Sequence, residues 1–236
     1  MKLHVSLDHS GYIPQFAAIT EGKVSDIELG RTLQFSRGSI VVFDKGYTDY
    51  KWFKALNNKG VFFVTRLRKN AIWRVDARRK VNKSTGLTCD QTITLTGIKP
   101  QRLGMPQLRR MGYRDPETGQ LYEFITNHFE LSAKTITEIY KERWQVELFF
   151  KWIKQNLKIK AFLGNSKNAI MTQLWVALCT GLLLAFIKFS AKLDWSLQKR
   201  LRILQLNLFM RRDLLSLLRG DPPPDLNLNK NQMVLL

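Results

Sequence analysis

Four polar residues in the second half of the chain recur at helical spacing: Tyr140, Arg143, Glu147 and Lys154. At about 100° per residue they fall within roughly 60° of arc on an α-helix. Val146, Phe149, Phe150, Ile153 and Leu157 occupy the adjoining arc. Such a helix packs along one face and presents a phenol, a guanidinium, a carboxylate and an ammonium in line at the edge of that packing. Two readings follow. An Arg143–Glu147 pair at i,i+4 on a solvated face would contribute only about 0.3–0.5 kcal/mol. The other reading is an active site, and a second carboxylate bears on it. Ser39-Ile40-Val41-Val42-Phe43 is an apolar, β-branched run that reads as a buried strand, and it delivers Asp44 at its C-terminal end. Open α/β sheets bind their ligands at that end of the strands.

The flanking patterns supply the scaffold. Residues 47–58 read as an amphipathic helix closed near Gly60, and residues 61–65 as a second buried strand. Strand, helix, strand at this spacing is a βαβ unit, hence an α/β core with parallel strands. Ahead of it, Leu3, Val5 and Leu7 alternate with Lys2, His4 and Ser6, and Asp8-His9-Ser10-Gly11 turns the chain into a returning strand at 13–20. Ser25 with Glu28 forms a capping-box pattern for a short helix. From about Arg66 to Tyr122 the sequence is basic and rich in turn signals, with Asp115-Pro116-Glu117-Thr118-Gly119 as a hairpin turn. Beyond Asn127 three helical patterns follow, at 132–157, 168–189 and 196–218. Gly220-Asp221-Pro222-Pro223-Pro224 stops the last, before a loose tail at 225–236. The expected division is 1–66 as the first part of the core, 67–126 as a β-rich insertion, 127–190 as the helical remainder of the core, and 191–236 as a basic C-terminal helix and tail.

Composition narrows the function. Lys+Arg 38 against Asp+Glu 19 leaves a net +19 on 236 residues, which points to polyanionic partners: nucleic acid or an anionic membrane surface. At 44% hydrophobic and 24% charged, disorder throughout is excluded. Two cysteines, Cys89 and Cys179, cannot build a disulfide framework or a Cys-rich zinc site, so a reducing, cytoplasmic setting is expected. The longest apolar run, residues 174–187, falls short of the roughly 20 residues of a bilayer span and reads as a buried core helix. His4, His9 and His128 lack metal spacing and read as structural. Trp144 and Trp152 could face core or DNA. The basic runs Arg66-Leu67-Arg68-Lys69, Arg78-Arg79-Lys80 and Arg109-Arg110 read as phosphate contacts without sequence readout.

Tyr140-x2-Arg143-x3-Glu147-x6-Lys154 resembles the Y-R-E-K signature of DDE transposases of bacterial insertion sequences, the family named for insertion sequence four. Ile139-Tyr140-Lys141-Glu142-Arg143-Trp144-Gln145-Val146-Glu147-Leu148-Phe149-Phe150-Lys151 looks like that family's helix, and Phe43-Asp44-Lys45-Gly46-Tyr47 resembles its second catalytic aspartate motif. Lys2-Leu3-His4 through Ile13-Pro14 resembles the hairpin after its first catalytic strand. The resemblance covers about residues 2–189. It implies a ribonuclease-H-like core with a β-rich insertion and metal-dependent cleavage and strand transfer at transposon ends. Asp44 and Glu147 would be catalytic ligands of two Mg²⁺ ions, hard cations that favour carboxylate oxygens. Tyr140, Arg143 and Lys154 would contact the phosphates of double-stranded DNA carrying terminal inverted repeats. A bacterial, nucleoid-associated protein without a membrane partner, compatible with a homodimer on DNA, completes the expectation.

One departure qualifies it. The family's first aspartate lies on a strand before the hairpin, whereas this sequence begins inside the hairpin, and Asp8 matches a non-catalytic family position. The expectation is therefore a core incomplete at its N-terminus, a truncated and inactive fragment that still binds DNA. A catalytically silent basic DNA-binding module is the alternative, and a peripheral membrane protein using the Leu-rich C-terminal helices is a more distant one.

Overall fold

A computed structural model describes residues 1–156, 164, 166–191, 196–207, 209 and 213–222. It divides into two compact units, residues 1–9 with 16–147 and residues 10–15 with 148–236.

In the first unit, β1 (Lys2–Leu7) and β2 (Pro14–Thr20) form a two-stranded sheet of their own. Then come α1 (Asp26–Thr32), β3 (Ile40–Val42), α2 (Tyr50–Asn58), β4 (Phe62–Arg66), β5 (Trp73–Arg79), β6 (Leu87–Leu95), α3 (Ile98–Arg102), β7 (Leu108–Arg114), β8 (Leu121–Thr126) and α4 (Ala133–Lys141). One six-stranded sheet has the order β3-β4-β8-β7-β6-β5. β3 and β4 run parallel, with Val42 opposite Val64, and α2 crosses between them, so the βαβ unit expected from the apolar runs is present. All other neighbours are antiparallel. The strands of residues 67–126 extend this same sheet, because β8 returns to pair with β4, Thr126 opposite Val64.

Both faces of the sheet are covered. Phe53 and Leu56 of α2 pack with Phe63, Ile93, Leu108 and Ile125 on one face. Ala133, Ile136 and Tyr140 of α4 pack with Val64, Met111 and Phe124 on the other. Each large apolar side chain buried this way contributes about 1.5–3 kcal/mol. β5 is one free edge of the sheet, with a bulge between Val75 and Ala77.

Local chemistry accounts for most boundaries. Asp49 begins α2 by accepting the Trp52 N–H at 2.8 Å. Asp49 is buried, and Arg31 reaches its other oxygen at 2.8 Å. Ser25 is the N-cap residue of α1, but its side chain makes no capping hydrogen bond.

The helix expected over 132–157 is instead two. α4 ends at Lys141 and α5 (Trp144–Asn156) begins after Glu142 and Arg143. Across the junction the Arg143 N–H bonds to the Tyr140 carbonyl at 3.1 Å and the Val146 N–H to the Arg143 carbonyl at 3.2 Å, the tighter i to i−3 pattern of a 3-10 turn. Neither Gly nor Pro marks this junction in the sequence.

In the second unit α6 spans Lys167–Ala191, α7 Leu197–Leu206 and α8 Leu214–Arg219. The single helix expected at 196–218 is thus split, and Asp213 caps the new start by accepting the Ser216 N–H at 2.8 Å. Gly220, at φ 79°, closes α8 where the stop signal stood. The tail at 225–236 lies outside the described residues.

The expectation of a buried core helix at 174–187 is corrected. Ala177, Leu178, Leu184 and Ile187 are buried, but Val176, Leu183 and Phe186 are 59%, 58% and 64% exposed. α6 is apolar on all sides, so burying one side leaves apolar groups on the rest. By length and composition, residues 167–187 could cross a membrane.

Candidate active site

Phe43 sets the position of Asp44. Its ring is buried among Trp52, Phe53 and Phe63, and its N–H bonds to the Val64 carbonyl at 3.2 Å, so the next residue emerges at the C-terminal end of the parallel pair. Asp44 Oδ1 accepts the Gly46 N–H at 3.0 Å and caps the 3-10 turn Lys45–Tyr47. Asp44 Oδ2 accepts from Arg66 Nη2 at 3.1 Å. Burial alone would raise the Asp44 carboxyl, but the Gly46 N–H and the Arg66 guanidinium, with Arg143 beyond, hold it below the usual aspartate value.

Tyr140 approaches from α4. Its ring lies 4.6 Å from that of Phe124, and its hydroxyl is buried beside Arg143 and donates to no acceptor among the described residues. Burial pushes the phenol above its ordinary pKa; Arg66 and Arg143 oppose this, and Asp44 reinforces it. Arg143, in the turn between α4 and α5, has its guanidinium 5.9 Å from the Tyr140 ring and donates from Nη2 to Glu147 Oε1 at 2.7 Å. Burial works against the Arg143 charge, but the bond to Glu147 and the fields of Tyr140 and Asp44 outweigh it and raise its pKa.

Asp44, Tyr140, Arg143 and Glu147, picked out in the sequence, thus come together in the first unit. Lys154 sits on α5, exposed, seven residues beyond Glu147 and within the second unit. Trp144, at the start of α5, is 56% exposed.

Arg66 belongs to the constellation and was missed as a member of it. The sequence offered it only as part of a basic run. The signal was in the register, since β3 and β4 pair at an offset that sets the residues after Val42 and Val64 side by side at their strand ends.

The reading of every basic run as phosphate contacts needs correction. Arg109 is 4% exposed and forks onto buried Asp90, Nε to Oδ1 at 2.8 Å and Nη2 to Oδ2 at 2.7 Å. Arg110 pairs with Glu123, donates to Gln91 and lies 4.4 Å over the Trp73 ring. Both charges are consumed inside the fold. Arg68, Lys69, Arg78 and Lys80 are exposed.

The carboxylate oxygens of Asp44 and Glu147 are the donor type that a hard divalent cation takes. In number they fall one short, because no group of three His, Cys, Asp or Glu side chains gathers among the described residues. A family model described as the transposase DDE domain matches residues 1–183. The chain belongs to this family. Transposase y4zB of Sinorhizobium fredii is 37% identical over 231 residues, covering 95% of this chain and 63% of that protein. The transposase for insertion sequence element IS5377 of Geobacillus stearothermophilus is 29% identical over 191 residues, 79% of this chain and 49% of the relative. A third relative, the transposase for element IS4SA of Synechocystis, is 33% identical over 75 residues, 32% of this chain and 22% of its own. The chain therefore spans 63% and 49% of the lengths of its two longer matches. The family acts on DNA and works with divalent metal ions.

Proposed function

We propose that the chain supplies Asp44 and Glu147, two carboxylates of a DDE site that cuts and joins DNA phosphodiesters at the terminal inverted repeats of an insertion sequence. The framework on this reading is ribonuclease-H-like, acting as a homodimer across two ends. One observation carries the reading. A carboxylate at the end of β3 and another on α5 both come within the electrostatic reach of one guanidinium, that of Arg143. Two divalent ions bound there would activate the attacking oxygen and stabilise the leaving alkoxide. The chain's own residues do the rest. Asp44 and Glu147 would hold the metal, and Arg143 turns its fork to the phosphate flanking the cut. The Tyr140 hydroxyl, whose proton has no acceptor among the described residues, donates to a phosphate oxygen, and Lys154 adds a point charge further along α5. Arg68, Lys69, Arg78 and Lys80 hold the backbone without reading bases.

Three carboxylates give the family its letters, and among the described residues this site presents two. The chain by itself is therefore a DNA-binding module that does not cut. Purified chain should bind a terminal-repeat duplex in fluorescence anisotropy and release no cleaved strand with Mg²⁺ or Mn²⁺. Asp44→Asn and Glu147→Gln should each weaken Mn²⁺ binding measured by calorimetry. Unchanged Mn²⁺ affinity in both variants would remove the site assignment. Cleavage abolished by Glu147→Gln would overturn the two-carboxylate reading.

A further inference from the structure

We infer that Arg66 guards the metal position, occupying Asp44 until a divalent ion and a phosphate arrive, and then passing from carboxylate to phosphate. This rests on Asp44 being a metal ligand. Asp44 Oδ1 is committed to the Gly46 N–H at 3.0 Å, so Oδ2 is the oxygen open to a cation, and Arg66 Nη2 sits on it at 3.1 Å. The hold is light. It is a single contact between side chains that are 28% and 35% exposed, whereas Arg109 in the same sheet grips Asp90 with a buried two-bond fork. Arg66 also carries an unused donor, since its Nε is buried without an acceptor among the described residues.

A second donor without an acceptor, the Tyr140 hydroxyl, lies on the same side of the sheet. Arg66 pairs in register with Phe124, and the Phe124 ring packs on Tyr140. Buried donors left unpaired are costly. A phosphate oxygen is the chemistry that would satisfy both. Its backbone is fixed in the β4–β8 ladder, so only the Arg66 side chain need move.

Charge balance gives the move its direction. Asp44 and Glu147 face Arg66 and Arg143, a constellation with no net charge to attract a dication. An incoming ion must displace Arg66 from Oδ2, and the displaced guanidinium is then free to take a phosphodiester. Divalent ion and DNA should therefore each tighten the binding of the other, by the same factor.

Mn²⁺ binding followed by electron paramagnetic resonance, with and without a short duplex, tests this on the full chain. Arg66→Gln should raise Mn²⁺ affinity roughly threefold to fivefold, the weight of a partly exposed ion pair. It should also lower DNA affinity and reduce the salt slope by about one. A merely structural loss would weaken metal binding instead of strengthening it. If Arg66→Gln leaves Mn²⁺ affinity unchanged or lower while Asp44→Asn still weakens binding, the guard role is overturned and the site reading stands. If Asp44→Asn has no effect, the site reading falls first. Should Arg66→Gln not fold, the wild-type chain still decides. The Arg66 Nε–Hε resonance, assigned by its absence in Arg66→Lys, should shift as Mg²⁺ is added and stay fixed in Asp44→Asn. A resonance that does not respond in the wild type overturns the proposal.

Discussion

His128 is held by two hydrogen bonds that only a neutral ring can accept. Its Nδ1 takes the N–H groups of Glu130 and Leu131, each at 3.3 Å, and the ring lies 4.1 Å from that of Phe62. Burial, helped by the Arg109 charge and opposed by Glu130, holds its pKa below the ordinary histidine value. The folded chain thus resists a proton that the unfolded chain accepts. The associated stability is complete above the ordinary histidine range and is lost as the pH falls through it toward the folded value. His4, bonded to Thr20 Oγ1 at 2.8 Å and also lowered by burial, acts in the same direction. Thermal unfolding should show a lower midpoint at pH 5.5 than at pH 7.5, and His128→Gln should reduce the difference. Equal pH dependence in the two proteins would remove His128 as its source. Asp44, also lowered, gives up its contribution only in stronger acid, below the usual aspartate value.

β6 and β7 carry the other ionic commitment, the Asp90–Arg109 pair, buried on both sides. Removing one partner strands a charge out of water. Asp90→Ala should cost about 3–5 kcal/mol in urea unfolding. Lys69→Ala, on an exposed lysine, should stay within about 0.5 kcal/mol. Comparable losses in the two would mean that the pair is not what holds these strands. The contrast also marks how far the sequence could be read. Apolar β-branched runs place β3 and β4, and the spacing from Tyr140 to Glu147 reveals the site, because both signals are periodic and local. The pairing of Arg66 with Asp44 depends on strand register. Whether Arg109 is solvated or consumed depends on a partner in the adjacent strand. Neither is visible in one segment alone. The break between α4 and α5 has no Gly or Pro to announce it. The exposure of α6 escaped notice because a helix apolar on all sides carries no periodic sign of which side is covered.

A net +19, less the arginines spent internally, still leaves a surplus of exposed cations for a polyanion. Association with duplex DNA should weaken linearly in log K against log salt, by about 0.9 for each phosphate neutralised, and alike for matched and unrelated sequences. A flat plot between low and physiological salt would dismiss phosphate contacts as the source of binding. The edge strand of the sheet bears on what happens when many such chains are held close together. β5 offers seven residues of backbone whose outer side pairs with no strand among the described residues, a template on which a second chain could lay a strand. Its bulge twists that template out of register, and Arg74, Asp76, Arg78 and Arg79 place charge along it. Copies of the chain can thus be crowded to high local concentration without their sheets joining edge to edge, because the bulge and the charges along β5 both oppose the pairing of a second strand.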